Sequence, residues 1–300
     1  MSHNPAASNE STPPLLQDIS DTARWVAHYR ALESERPRAI LRDPFARRLA
    51  GERGRIIAET LPKLSLEWVI PVRARVYDDL VLDEVRGGRF TTVLNLAAGF
   101  DTRPHRLDLP PKLRWIEADL PGIIAAKTEA LASERPHCAL ERTAVDITQG
   151  EELGRLLSRL DAEGARVLVV TEGLLAYLEE TQVAALATSL FASRAVQGWI
   201  LEATLPEVLT QARRAWGHAL KPAGAEMKFA PPAGLSFFSA FGWHPRVTRS
   251  LLEEAHRLRR EMPMAWAARP VTILLRGRDV WRKMAMYAVM EKRSHSETSS

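Results

Sequence analysis

Cysteine is almost missing: Cys138 stands alone in a chain of 300 residues. A disulfide framework is therefore excluded, and without a CxxC pair or an HExxH motif no metal site is expected. No apolar run reaches the length of a membrane span. The N-terminus lacks the basic-then-apolar order of a signal peptide, so a cytoplasmic protein without membrane contact is expected. An excess of one charge is also lacking, with 41 Lys and Arg against 37 Asp and Glu. The cluster Arg257, Arg259 and Arg260 stands beside Glu253, Glu254 and Glu261. That reads as a solvated mixed-charge helix face, not a nucleic-acid surface.

What is present is apolar residue in quantity, 46% of the chain, enough for the core of one α/β domain. Residues 1–20 and 294–300 are polar and are expected to be disordered tails, leaving a single domain over 21–293. Residues 21–86 read as helical, a cover ahead of the sheet. Apolar strand-like runs follow at 91–96, 113–118, 138–145, 166–171 and 198–203, separated by helical stretches at 121–134, 151–161 and 181–194. This alternation predicts a Rossmann-like, mostly parallel sheet. Two later runs, 243–248 and 284–292, predict a closing antiparallel pair around a helix from about Ser250.

The first strand runs into "VLNLAAGFDTR", residues 93–103. A dinucleotide turn has three glycines, whereas this one holds Gly99 alone and carries Asp101 where a phosphate would lie. Ligands of open α/β sheets sit at the carboxyl ends of the strands. There the sequence supplies Asp101, then Asp119 about twenty residues beyond the turn, Asp146 with Ile147, and Glu172. An acidic rim repels a pyrophosphate and suits adenosine with a ribose diol, an ammonium and a sulfonium, which together describe S-adenosylmethionine. Asp119 would accept from ribose hydroxyls, Asp146 would face the adenine amino group, and Glu172 would lie near the cationic methionine end. Helix capping by Asp119 or Asp146 and a local Asp101–Arg103 ion pair are the alternatives.

Four stretches, "DTARWVAHYRALESERPRAILRDPFARRLAG" (21–51), "VLNLAAGFDTRPHRLDLP" (93–110), "RWIEADLPGIIAAK" (114–127) and "VVTEGLLAYL" (169–178), together resemble the leucine carboxyl methyltransferase family, especially its bacterial branch of polyketide-type O-methyltransferases. The resemblance implies a class I methyltransferase fold with a helical N-terminal cover. It places cofactor contacts on Arg75, Ala97, Asp119, Asp146 with Ile147, and Glu172, with Arg75 meeting the methionine carboxylate. An i,i+4 pair with Asp79 is the other reading of Arg75. Ala97 stands where many members have glycine, while Gly99 is kept. Arg24, near a basic family position, is a candidate second carboxylate contact.

These readings make the chain an S-adenosylmethionine-dependent O-methyltransferase for a small, apolar molecule bearing a carboxylate or a hydroxyl. A nicotinamide-dependent oxidoreductase and a methyltransferase-like binding protein without turnover are the alternatives, and a protein-terminal carboxylate, the namesake substrate of the resembled family, is the alternative acceptor. A carboxylate acceptor arrives ionised, whereas a hydroxyl gains from a base. Candidate bases are His28 in the cover and Tyr177 after the fourth strand; His105 reads as packing. Arg24 and Arg73 are candidates to hold an acidic acceptor. The stretches 237–243 and 261–270 read as core, with an apolar pocket wall as the alternative.

Overall fold

A computed structural model describes residues 15–63, 66–261 and 284–293. Three helices precede the sheet: α1 (Ser20–Ser34), α2 (Ala46–Thr60) and α3 (Leu66–Arg86). Folded structure begins earlier than the expected 20-residue tail allows. Leu16 is fully buried in a cluster with Trp25, Tyr29 and Trp216, because Leu15–Leu16 is an apolar pair with a hydrophobic partner surface to cover. Residues 294–300 and most of 261–270 lie outside the described residues. Among the described residues no helix is long and apolar enough to cross a membrane.

The alternating part follows as β1 (Thr92–Leu96), α4 (Arg103–Arg106), β2 (Arg114–Asp119), α5 (Pro121–Ala130), β3 (Ala139–Ala144), α6 (Gly150–Ala162), β4 (Val167–Val170), α7 (Glu180–Ala192), β5 (Val196–Thr204) and α8 (Pro206–Leu220). It closes with β6 (Trp243–Ser250), α9 (Leu251–Arg257) and β7 (Ala285–Lys292). The seven strands form one sheet in the order β3-β2-β1-β4-β5-β7-β6. The first five are parallel, and β7 pairs antiparallel with both β5 and β6. Chain order reverses between β1 and β4, which is where an open sheet of this kind leaves its ligand crevice.

Side chains alternate across the strands as a two-residue period requires. Leu94, Ile116, Val169 and Trp199 face α6 and α7, while Val93, Trp115, Leu168 and Ile200 face α3. Pro245 and the register shift beside it lie in β6, an edge strand, where a missing N–H is tolerated. The stretch 237–243 belongs to the core and not to a pocket wall. Phe238 stacks edge-on against Trp199 at 5.3 Å, and Trp243 packs on Trp199 at 5.6 Å. That stretch precedes β6 on the α7 side and never reaches the strand ends that build the site.

Candidate cofactor and acceptor site

A cavity of about 940 Å³ lies over the carboxyl ends of β1 to β5. The cover closes it from above through Trp25, Tyr29 and Arg30 of α1 and Val69, Ile70 and Arg73 of α3. A third wall comes from α8, with Val208, Ala212 and Ala215 facing in. Trp216 of α8 meets Trp25 edge-on at 5.4 Å and donates from its indole nitrogen to the Pro62 carbonyl at 2.7 Å. Arg30 ties α1 to the turn beneath it by donating to the Phe100 carbonyl.

The turn after β1 is left-handed twice, at Ala97 (φ 52°) and at Gly99 (φ 48°). Glycine enters that region without cost, whereas alanine pays about 1–2 kcal/mol. Asp119, at the end of β2, fixes the turn: one oxygen accepts from the Gly99 amide at 2.6 Å, the other from the Leu120 amide at 2.7 Å. It does not cap α5, whose N-cap, Leu120, has no side-chain bond. A carboxylate offers about four acceptor positions, so capacity remains on the cavity side. Burial pushes the Asp119 carboxyl up despite the two amides.

Asp146 and Ile147 also line the cavity. Asp146 closes a local turn, accepting from the Thr148 amide at 2.9 Å and its hydroxyl at 2.6 Å. Asp101 is committed elsewhere: it accepts from Asn95 at 2.7 Å, from the Arg103 amide at 2.9 Å and from the Arg103 guanidinium at 2.9 Å. Burial opposes its charge, but Arg103 and Lys127 overcome this and hold the carboxyl below its ordinary range. The local ion pair is thus the role Asp101 has. The amide that a pyrophosphate would seek at the start of α4 is already bonded.

Arg103 and Arg73 treat the rim differently. Arg103, almost wholly buried, donates to Asp78 at 2.8 Å, Asp101 at 2.9 Å, Glu172 at 2.6 Å and the Ala74 carbonyl at 3.3 Å. Arg73 is more open, its side chain 17% exposed against 2% for Arg103, and its one hydrogen bond among the described residues runs from Nε to Glu172 at 3.1 Å. A longer contact of 3.8 Å joins Nη1 to Glu202. Its guanidinium lies flat against Gly173, where an added Cβ would stand 3.4 Å from both terminal nitrogens. Arg73 therefore presents unspent donors to the cavity, the condition of a group that awaits an anion.

Arg75 is a correction. It points away from the cavity, paired with Asp79 at 2.8 Å and with the Ile40 carbonyl at 3.0 Å, since two residues along a helix turn a side chain to the opposite flank. Arg73, not Arg75, lines the cavity. Arg24 is a second correction: it donates to the Leu49 carbonyl at 3.3 Å and lies over the Phe100 ring at 5.3 Å, outside the cavity lining. His28 is a third. It is buried away from the cavity, its pKa lowered by that burial and by Arg47. His105 packs against Phe45 at 5.8 Å, as expected, with burial lowering its pKa to about 4. Tyr177 does line the cavity, but burial raises its phenol and makes the phenolate harder to form.

Two lining elements escaped the sequence reading. Glu202, two residues before the end of β5, accepts from the Gly173 amide at 2.8 Å. It occupies the strand-end position that singled out Asp119 and Glu172. The α8 wall was also readable, from apolar residues at 205, 208, 209, 212, 215 and 216.

Comparison with known proteins agrees with this geometry. Solved structures share the fold: a DUF574 family protein from Streptomyces avermitilis has a TM-score of 0.57 at 13% identity, covering 91% of this chain and 97% of its own. A provisionally assigned methyltransferase from Thermobifida fusca has 0.56 at 14% identity, covering 98% and 100%. Among sequences, a protein of Mycobacteroides abscessus provisionally named an S-adenosyl-L-methionine-dependent methyltransferase is 33% identical, over 55% of this chain and 56% of its own length. One of the same name from Streptomyces avermitilis is 34% identical, over 54% and 60%. The chain thus spans a little over half the length of these curated relatives. The family model described as leucine carboxyl methyltransferase matches residues 23–191, more than half of the chain. With the sheet order, the acid-rimmed cavity and the helical cover in place, the chain belongs to the leucine carboxyl methyltransferase family.

Proposed function

We propose that this chain is an S-adenosylmethionine-dependent O-methyltransferase that acts on a small, largely apolar molecule at a carboxylate or a hydroxyl. The observation that carries the reading is Arg73, a half-buried guanidinium with donors to spare among the described residues, set at the strand ends among carboxylates. S-adenosylmethionine has one anion and two cations, and supplies an electrophilic methyl group when bound. Arg73 would pair with the methionine carboxylate, Glu172 with the ammonium and Asp119 with the ribose hydroxyls, while Asp146 and Ile147 would border the adenine. The nicotinamide alternative is disfavoured by Asp101, whose bond to the Arg103 amide fills the place of a phosphate.

Transfer is an in-line displacement, so the chain's task is to orient the acceptor and keep water away, worth about 7–11 kcal/mol in effective-molarity terms. The cover and α8 provide that enclosure. A cavity of this size, walled by the cover and α8, suits a small-molecule acceptor. Tyr177, its pKa raised by burial, stays protonated at neutral pH and supplies no base, which favours a carboxylate that needs none. The test uses cell extract, the enzyme and methyl-labelled cofactor, followed by mild alkali. Label released as methanol identifies an ester; label that survives identifies an ether and moves the acceptor to a hydroxyl. No label in any extract molecule would favour the binding protein without turnover.

A further inference from the structure

We propose that Glu202 is the carboxylate that faces the sulfonium, and that it makes the site prefer the charged methyl donor over its neutral demethylated product. The inference rests on the cofactor reading above. If adenosine lies over β3 and β2, at Asp146 and Asp119, the remainder of the ligand must extend toward β4 and β5. There Arg73 takes the carboxylate and Glu172 the ammonium. With Asp101 held by Asn95 and Arg103, Glu202 is then the remaining acid of the strand ends with no ligand group assigned.

The charge balance gives the reason. One bonded network contains the acids Asp78, Asp101, Glu172 and Glu202 and the cations Arg73, Arg103 and Arg106. Arg106 and Arg103 both pair with Asp78, and Arg103 also neutralises Asp101 and Glu172 at hydrogen-bond distance. Glu202 has, among the described residues, only the Gly173 amide and the 3.8 Å contact to Arg73. Four carboxylates thus face three guanidiniums, and Glu202 is the carboxylate with the weakest pairing. Burial and the neighbouring Glu172 push the Glu202 carboxyl upward, while those of Asp101 and Glu172 are held down.

S-adenosylmethionine carries a net charge of one positive unit at neutral pH, and S-adenosylhomocysteine carries none. The change occurs at sulfur: the S–CH3 bond breaks, the sulfur keeps the electron pair, and the new O–CH3 bond forms on the acceptor. A cation beside Glu202 offsets its buried charge before transfer and no longer does so afterwards. The attraction that holds the donor is thereby lost from the product, which favours its release.

The test is calorimetric titration of the full chain with S-adenosylhomocysteine and with sinefungin, which bears a protonated amine where the donor has its sulfonium. Wild type should bind sinefungin about tenfold more tightly, the scale of one partly buried charge pair. Glu202→Gln keeps an acceptor for the Gly173 amide but loses the charge. It should bring the two ligands within about threefold while leaving S-adenosylhomocysteine affinity nearly unchanged. Equal affinities in wild type overturn the proposal, and this comparison decides even if the variant does not fold. An unchanged preference in Glu202→Gln overturns it too, as does an equal loss of both ligands, which would make Glu202 scaffold only. If wild type binds neither ligand, the cofactor reading itself fails and takes this inference with it.

Discussion

Arg103 Nη2 donates to Glu172 Oε2 at 2.6 Å, joining the first residue of α4 to the end of β4 across the crevice where strand order reverses. The same guanidinium holds Asp78 and Asp101, so one buried cation anchors three elements. Removing it leaves buried carboxylates without a counter-charge. Arg103→Ala should therefore lower stability by about 3–5 kcal/mol, read from urea unfolding at neutral pH. A loss below about 1 kcal/mol would mean that water or Arg106 replaces it.

Ala97 occupies the left-handed region at φ 52°, so flexibility at Gly99 does not relieve it. Ala97→Gly removes about 1–2 kcal/mol of backbone strain and returns about 0.5–1 kcal/mol through the freer unfolded chain. Net stabilisation of up to about 1.5 kcal/mol is expected, with ligand affinity unchanged within a few-fold. Destabilisation would show that the Ala97 methyl contributes more by packing on the adjoining core than it costs in strain.

His105 gives the stability a pH dependence. Its folded pKa is lowered to about 4 by burial and by Arg142 and Lys127, against about 6.5 in an unfolded chain. Between these values the unfolded state binds more protons, so stability rises with pH there. It should be fully present above pH 6.5 and fall as pH drops toward 4. Urea midpoints at pH 7, 6 and 5 should decline, and His105→Asn should reduce the slope. His28 shifts in the same direction, so part of the slope should remain. An unaltered slope in His105→Asn would assign the effect to other groups.

The sheet was legible because its strands are short apolar runs of which five end near chemistry-bearing residues, and even the closing antiparallel pair falls where the pattern puts it. The acid rim was legible for the same reason at Asp119, Asp146 and Glu172. Helix phase was harder. Val76 and Leu80 mark the buried stripe of α3, and Arg73 lies three and seven residues before them, whereas Arg75 aligns with the more exposed Asp79. That spacing carries the correction, but α3 is buried around much of its circumference, and its apolar pattern is blurred. The burial of His28 depends on how α1 packs beneath α2, and no local sequence pattern encodes that long-range contact.

The cofactor site is tested most directly by calorimetry on wild type and Arg73→Ala, with S-adenosylhomocysteine, methylthioadenosine and NAD as ligands. Methylthioadenosine has the adenosine but no amino-acid end. Wild type should bind the first two and not NAD. Arg73→Ala should weaken S-adenosylhomocysteine roughly 10- to 150-fold, the equivalent of a lost charged hydrogen bond of about 1.5–3 kcal/mol, and leave methylthioadenosine unchanged. Binding of NAD without S-adenosylhomocysteine, or an equal loss of both adenosyl ligands in the variant, would contradict the assignment.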